Sequence, residues 1–256
     1  MFIDTHTHLQ FESYDEDREL VIQRAIKNNV EAMITIGTDL KSSNQALELA
    51  KKFAVVFASV GIHPNDCKNA AESDMNKIIH LADEEKAIAI GEIGLDYYRQ
   101  YTTKEKQQEV LRRQINIARE LGLPMIIHNR EAHADIFKVL KEEKAEEISG
   151  VFHSFSGDMA FLDSILALNY HVSFTGPVTF KNTNYNQLIE RVPLEQILLE
   201  TDSPFLAPVP FRGKRNEPSY VRYIAEKISQ VKGIPIEKLA EITSENARSL
   251  FRLNGK

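Results

Sequence analysis

Six side chains that can bind metal ions stand at the ends of five short apolar runs in this sequence. They are His6, His8, Glu92, His128, His153 and Asp202. Imidazole and carboxylate groups are common ligands of zinc and related divalent cations. The carboxyl ends of parallel strands meet at one face of an α/β barrel, where such folds carry their active sites. We therefore predict that these six side chains converge on one metal centre.

The prediction depends on the six residues taken together, because each histidine alone is better explained as a hydrogen-bonded loop residue. His6 and His8 are separated by one residue, so both imidazoles point to the same side of an extended strand. Gathering so many ionisable groups in a barrel mouth without a cation would be strongly unfavourable. A bound metal removes that difficulty.

The number of ligands predicts two divalent cations. A mononuclear catalytic zinc usually takes three ligands from the protein, and six are present here. Glu92 is the candidate bridge, because a carboxylate has two oxygens. We assign His6, His8 and Asp202 to one cation, and His128 and His153 to the other. Imidazole ligands favour Zn²⁺ or Mn²⁺ over Mg²⁺, although Mg²⁺ could support activity. Glu92 and Asp202 are then also catalytic, since hydroxide formed from water at the two cations would be the nucleophile.

Eight strand-like segments alternate with helical patterns along the chain. They cover residues 2–4, 32–36, 55–59, 87–90, 124–127, 150–152, 172–174 and 197–199. Most are short and almost entirely apolar, as in parallel sheets covered on both faces. The pattern alone also allows an open, doubly wound sheet. The count of eight, and the need to gather the ligands around one centre, favour a single (β/α)8 TIM-type barrel domain over residues 1–256.

Apolar residues recur with helical spacing between the strands. Asp15 or Asp17 is a candidate cap for the first helix. Residues 104–121 predict a long amphipathic helix that ends at Gly122. Further helices are predicted at 158–168 and 220–231. Residues 244–251 predict an extra C-terminal helix, which we expect to pack against the outside of the barrel.

The overall composition limits the possible functions. The chain has 256 residues, of which 43% are hydrophobic and 27% charged, with a net charge of −6. An acidic protein is poorly suited to clamping duplex DNA, although a local basic pocket can bind one strand end. The single cysteine, Cys67, cannot form an internal disulfide. Together with the lack of a signal sequence and of an apolar stretch of ~20 residues, this predicts a soluble cytoplasmic protein without membrane or obligate protein partners.

Several residues near the ligands are candidates for substrate binding. His63 follows the third strand and could bind phosphate or donate a proton, or it could be a turn histidine. Arg130 could clamp a phosphate or form a surface salt bridge. The loop at 205–218 contains Arg212 and Arg215, and loops after the last strands of barrels often bind phosphate. A solvated basic loop is the alternative.

Other polar residues lie close to these candidates in the sequence. Asp4 could orient one of the first two histidines or act as a local cap. Glu200 could assist proton transfer or orient a ligand, or main-chain groups could satisfy it. Tyr97, Tyr98 and Arg99 could form the wall of the site opposite the 205–218 loop.

Six segments together resemble the TatD family of metal-dependent deoxyribonucleases, which belongs to the amidohydrolase superfamily. They are FIDTHTHL at 2–9, GIHP at 61–64, GEIGLDY at 91–97, IHNR at 127–130, FHSFSG at 152–157 and ETDSP at 200–204. The likeness extends from residue 2 to the C-terminal helices, and no motif is missing.

The resemblance implies a binuclear barrel hydrolase with 3′→5′ exonuclease activity on single-stranded or frayed DNA, or a related DNase activity. It implies that all six ligands bind metal, with Glu92 in the bridging place, and that His63 is catalytic or contacts phosphate. Relatives of the family suggest an alternative ester hydrolase, such as a D-aminoacyl-tRNA deacylase, so RNA or tRNA is a further possible substrate. A metal-binding adaptor without catalysis is a third reading, which the complete ligand set disfavours.

Overall fold

Eight parallel strands form one sheet in the order of the sequence, and helices separate them. The structure is a computed structural model that describes residues 1–99, 101–181 and 183–253. The strands are β1 (Phe2–Thr7), β2 (Val30–Ile36), β3 (Val56–Val60), β4 (Ala87–Asp96), β5 (Met125–Arg130), β6 (Gly150–Phe152), β7 (His171–Phe174) and β8 (Ile197–Leu199). This is the order of a (β/α)8 barrel, so the predicted fold class is confirmed.

The helices of the described chain follow the strands in turn. They are α1 (Arg18–Lys27), α2 (Leu40–Lys52), α3 (Glu72–Ala82), α4 (Lys104–Leu121), α5 (His133–Glu142), α6 (Met159–Ala167), α7 (Tyr185–Arg191), α8 (Val221–Lys232) and α9 (Ile236–Phe251). Helix α4 has the predicted bounds, and Gly122 ends it in the left-handed region at φ 64°. The side chain of Asp158 caps α6 by accepting from the main-chain N–H of Phe161. None of the helices described has the length and apolarity of a membrane-spanning segment.

Three strands, β1, β4 and β5, run at least three residues past their predicted carboxyl ends. The ladder between β1 and β2 continues to Thr7, and that between β4 and β5 continues to Asp96. Glu92 therefore lies inside β4 rather than after it, and His6 and His128 lie inside β1 and β5. Apolar runs stop where the inner face of the barrel becomes polar, so they mark the start of the site and not the end of the strand.

The last strand joins the first through residues that follow β8. The main-chain N–H of Asp202 donates to the carbonyl of His6 over 2.9 Å, and that of His8 donates to the carbonyl of Ser203 over 2.7 Å. These bonds hold the first and last ligand segments side by side.

Asp4 strengthens the same junction. Its buried carboxylate accepts hydrogen bonds from Thr201, over 2.9 Å from the main-chain N–H and 2.6 Å from the hydroxyl. Burial raises the pKa of Asp4 to about 8, although the bonds from Thr201 and His6 act in the opposite direction. The partners of this carboxyl group are therefore main-chain and hydroxyl groups at the barrel seam, and neither of the first two imidazoles is among them.

Helix α9 closes the end of the barrel opposite the site. Its residues Ala247, Leu250 and Phe251 belong to an apolar cluster with strand residues such as Ile34 and Ile88. Its polar side chains bond to the starts of strands: Ser244 donates to the carbonyl of Met1, and Asn246 to that of Ile197. The first part of α9 does lie on the outside of the barrel, where Leu239 and Ala240 join the apolar cluster that contains α8. The predicted stretch 244–251 instead covers apolar surface at the amino ends of the strands.

Candidate metal centre

The structure brings the six predicted ligands together at the carboxyl ends of the strands, and it adds His63 to them. Three groups have possible donor atoms within 4.8 Å of one another: His6 with His153 and Asp202, His6 with His8 and Glu92, and His63 with Glu92 and His128. The residues come from six strands or the loops that follow them, which explains why they are far apart in the sequence.

The donors that we assigned to the first cation have the spacing of a metal site. This first set consists of His6, His8 and Asp202. The Nε2 atoms of His6 and His8 are 3.3 Å apart. Asp202 Oδ1 lies 3.6 Å from the first of them and 3.4 Å from the second. Donor atoms around a tetrahedral zinc ion stand about 3.3 Å apart, because each lies about 2.0–2.1 Å from the ion. The donor set therefore fits a divalent cation.

Glu92 faces this set with one oxygen and a second set with the other. Its Oε2 lies 3.5 Å from Nε2 of His6. Its Oε1 lies 2.8 Å from Nδ1 of His128, 2.8 Å from Nε2 of His153 and 3.4 Å from Nε2 of His63. The carboxylate is thus placed between two groups of imidazoles.

Hydrogen bonds on the far side of two rings leave the correct nitrogen free for a metal. Nδ1 of His8 lies 3.0 Å from the carbonyl oxygen of Ile36, which can only accept. Nε2 of His128 lies 3.2 Å from Asp96 Oδ2. Each far nitrogen is therefore an N–H donor, and in the neutral ring, the form that binds a metal, the nitrogen that faces the centre carries the lone pair. Such partners orient the ring and strengthen it as a ligand.

His63 has the opposite arrangement. Its Nδ1 accepts a hydrogen bond of 3.0 Å from the main-chain N–H of Asn65. In the neutral ring the proton must then be on Nε2, the atom that faces Glu92. His63 therefore presents an N–H group to the centre, whereas His8 and His128 present a lone pair.

The far nitrogens of the other two imidazoles have weaker contacts. Nδ1 of His6 has no hydrogen-bond partner among the residues described. Nδ1 of His153 lies 3.6 Å from Glu200 Oε1, which also accepts a 2.6 Å hydrogen bond from the main-chain N–H of Ser154. Glu200 thus lies beside His153 without a hydrogen bond to its Nδ1, and a main-chain N–H group donates to its carboxylate.

The charges of the buried centre depend on one another. Burial would raise the pKa of Glu92, but His153, His63 and His128 outweigh it and hold the pKa well below its usual value. Burial would lower the pKa of His153, but the two carboxylates beside it raise the pKa well above its usual value. Glu92 is therefore ionised beside a protonated His153, and a divalent cation can take the place of that proton.

Close packing of β4 against β5 holds Glu92 and His128 together. Gly94 pairs with His128 in the ladder and has φ +147°, which side chains rarely adopt. A Cβ at this position would overlap the carbonyl oxygen of His128. Only glycine lets the two strands approach so closely.

Asp96, the partner of His128, was not predicted as a site residue. It is 2% exposed and accepts hydrogen bonds from the side chain of Asn65 and from the main-chain N–H groups of Tyr98 and Arg99. Its position four residues after Glu92 in an extended strand, on the same side, was the signal that could have revealed it. His128 and these donors lower its pKa to about 2, against the effect of burial.

Two of the predicted phosphate-binding arginines lie over aromatic rings. The guanidinium of Arg130 is 3.8 Å from the ring centre of Tyr98. That of Arg212 is 4.4 Å from the ring centre of Phe180. No ion pair involves either arginine within the described chain. Their N–H groups stay available at the edges of the stacked planes.

Arg215 occupies a different environment. It donates to both carboxylate oxygens of Asp17, over 2.8 and 2.7 Å, and to the carbonyl of Ser13 over 2.6 Å. Its guanidinium also lies 4.7 Å from the ring centre of Tyr14. Most of its donors are used to hold the loop after β8 against the segment after β1.

Histidine and carboxylate donors at the carboxyl ends of a (β/α)8 barrel define a metal-dependent hydrolase. A family model described as TatD related DNase matches residues 3–252 of the sequence. The chain belongs to the TatD family.

Similar proteins agree with this assignment. An uncharacterized metal-dependent hydrolase of Bacillus subtilis, YabD, is 45% identical over 99% of this chain and 100% of its own length. The 3′-5′ ssDNA/RNA exonuclease TatD of Salmonella typhimurium is 32% identical over 98% of each chain. The crystal structure of YjjV, a TatD homolog from Escherichia coli, superposes with a TM-score of 0.92 at 28% identity, over 98% of each chain.

Proposed function

We propose that this chain is a two-metal phosphodiesterase that removes nucleotides from the 3′ end of single-stranded or frayed DNA. The observation that carries the proposal is the position of Glu92, whose two oxygens face two sets of imidazoles. The exonuclease named in Salmonella supports the substrate class. Residues 1–256 would act as one catalytic unit.

Each donor set would hold one cation, with Glu92 shared between them. His6, His8 and Asp202 form the first set, and His128 and His153 form the second. Their imidazole content favours Zn²⁺ or Mn²⁺ as the resident ion, while Mg²⁺ could support turnover. When bound, the cations would supply positive charge at the phosphoryl oxygen and lower the pKa of water.

His63 would donate a proton rather than bind metal. Its N–H points into the centre, because Asn65 occupies the opposite nitrogen. A proton donor at this position can neutralise the oxygen that leaves when the phosphodiester bond breaks. Alternatively, the same N–H can bind a phosphate oxygen.

The residues around the mouth of the barrel, here called the rim, would hold the DNA strand on either side of the reacting phosphate. Arg130 and Arg212 lie over aromatic rings with N–H groups available, so both can bind phosphate. Tyr98 is 55% exposed and offers a ring on which a base can stack. Arg215 instead anchors the loop that carries Arg212.

The test is digestion of a short single-stranded DNA, labelled at its 5′ end, by the purified protein loaded with Zn²⁺ or Mn²⁺. We expect a ladder that shortens from the 3′ end, and no digestion by the Glu92→Ala variant or in a chelator. A D-aminoacyl-tRNA is assayed in parallel. DNA left intact while the aminoacyl ester is hydrolysed would replace the exonuclease by the ester hydrolase.

A further inference from the structure

A groove of about 950 Å³ opens between the loops that follow β1, β2 and β8 and continues along helix α2. Phe11 and Phe205 form part of its apolar wall. Phe205 is 51% exposed, which is unusual for a phenylalanine next to a buried centre. Large apolar side chains exposed in a concave site often contact a ligand.

Both rings pack against the imidazole of His8 in the metal centre. The ring of Phe11 stacks on that of His8, with centres 4.6 Å apart and planes at 14°. The ring of Phe205 approaches the same imidazole with centres 6.1 Å apart. The main-chain N–H of Phe205 donates to the carbonyl of Asp202 over 2.9 Å. A group that rests on this wall therefore lies next to two ligands of the first set.

The charge of the groove does not suit phosphate. Four acidic and three basic side chains line it. Among them Arg18 is paired with Asp15, and Asp39 caps α2 by accepting from Ser42. Phosphates need an excess of cations, whereas an aromatic base needs a ring face and hydrogen-bonding groups.

We infer that the wall formed by Phe11 and Phe205 binds the base of the terminal nucleotide by stacking, while the arginines of the rim hold the phosphates. This inference rests on the proposed function. It makes the enzyme selective for strand ends that carry a base, because an abasic end leaves the ring of Phe205 uncovered.

Binding is measured with a single strand whose 3′ base is the fluorescent 2-aminopurine and whose last linkage is a phosphorothioate that slows cleavage. The sequence contains no tryptophan, so the fluorescence of the base can be read without protein background. We expect the manganese-loaded protein to quench a 3′-terminal 2-aminopurine more than an internal one, and Phe205→Ala to remove that difference. Equal quenching by the variant would overturn the inference.

Kinetics give an independent readout on loaded enzyme. We expect kcat/KM to be about tenfold higher for a strand with a terminal base than for one with a terminal abasic site, the scale of one base–aromatic stack. Phe205→Ala should bring this ratio close to one, and Phe205→Tyr should preserve it. Val209→Ala is the matched control, because Val209 is 47% exposed on the same loop and outside the groove.

The two hypotheses fail in different ways. If wild type degrades DNA without preferring a terminal base, or if Phe205→Ala keeps the preference, the base site is wrong and the exonuclease stands. If a 5′-labelled strand is neither bound nor shortened by wild type, the proposed function fails and the base site fails with it.

Discussion

The hydrogen bonds behind the imidazole rings divide three histidines of this centre into two kinds. His8 and His128 donate from their far nitrogen, so a lone pair faces the centre. His63 accepts at its far nitrogen, so an N–H group faces the centre. Distance alone would group all three as ligands. The hydrogen-bonding group at the far nitrogen of each ring therefore distinguishes a histidine that can bind a metal from one that can donate a proton.

Loss of His63 should therefore slow the reaction without removing metal. We expect His63→Ala to lower kcat by a factor of about 10²–10⁴, the usual contribution of a general acid or base. Elemental analysis should show the same metal content as wild type. The loss should be much smaller for a p-nitrophenyl ester of a nucleotide, because that leaving group needs no proton. Metal loss in the variant would identify His63 as a ligand.

Asp96 should act through His128. We expect Asp96→Asn to weaken metal binding by about 10–100-fold, as is typical when the hydrogen-bond partner of a ligating imidazole is removed. The Asn side chain can still accept from Tyr98 and Arg99, so the turn after β4 should be kept. Competition with a chromophoric chelator measures the affinity. Asp163→Asn, on the exposed surface, is the control, and equal affinity of Asp96→Asn and this control would contradict the role.

The sequence was sufficient to predict that these six donor side chains meet at one place, because each follows or interrupts an apolar run. It did not reveal the partners of those ligands. The pairing of Arg215 with Asp17 joins residues from opposite ends of the chain, and nothing near Arg215 in the sequence indicates it. Nor can the tautomer of His63 be predicted, since it depends on how the main chain turns at Asn65.

At the scale of elements, the loop after β8 has an anchored part and a free part. Arg215 holds it to Asp17, while Arg212 lies over Phe180. The two arginines should therefore differ in function, although both were predicted to bind phosphate.

Single substitutions test this division. We expect Arg212→Ala to raise KM several-fold with kcat little changed, and to reduce the dependence of KM on salt. Asp17→Asn should reproduce the effect of Arg215→Ala, because both break the same pair. Steady-state kinetics at two salt concentrations measure both effects. If Asp17→Asn behaves as wild type while Arg215→Ala raises KM, Arg215 contacts the substrate.

Strand bounds were the least predictable feature of the elements. Eight strands were found from eight apolar runs, but β1, β4 and β5 continue through polar residues. Ladder hydrogen bonds between main chains do not require apolar side chains, so a strand can extend into the site. Hydrophobic pattern alone cannot show where it stops.

At the scale of the whole molecule, the barrel is open at the carboxyl ends of its strands and covered at their amino ends. The carboxyl ends of the strands carry the donors and the groove, and α9 covers the amino ends. Stability and chemistry are therefore separated along the barrel axis, as is usual in this fold.

Phe251→Ala should destabilise the protein without changing its chemistry. The side chain is 2% exposed in the cluster under the barrel. Its truncation should lower the free energy of unfolding by about 3–5 kcal/mol, the usual cost for a buried phenylalanine. Urea denaturation measures this loss, with Leu20→Ala at an exposed position as control. A large fall in kcat of the folded variant would contradict the separation of the two ends.

The account depends most on Glu92 lying between two cations. Anomalous diffraction from crystals of the zinc- or manganese-loaded protein, with elemental analysis of the same sample, tests this directly. We predict two metal peaks per chain, one at each oxygen of Glu92, and a metal content that falls from two towards one in Glu92→Ala. A single peak in the wild-type protein, or two ions retained in the variant, would contradict the account.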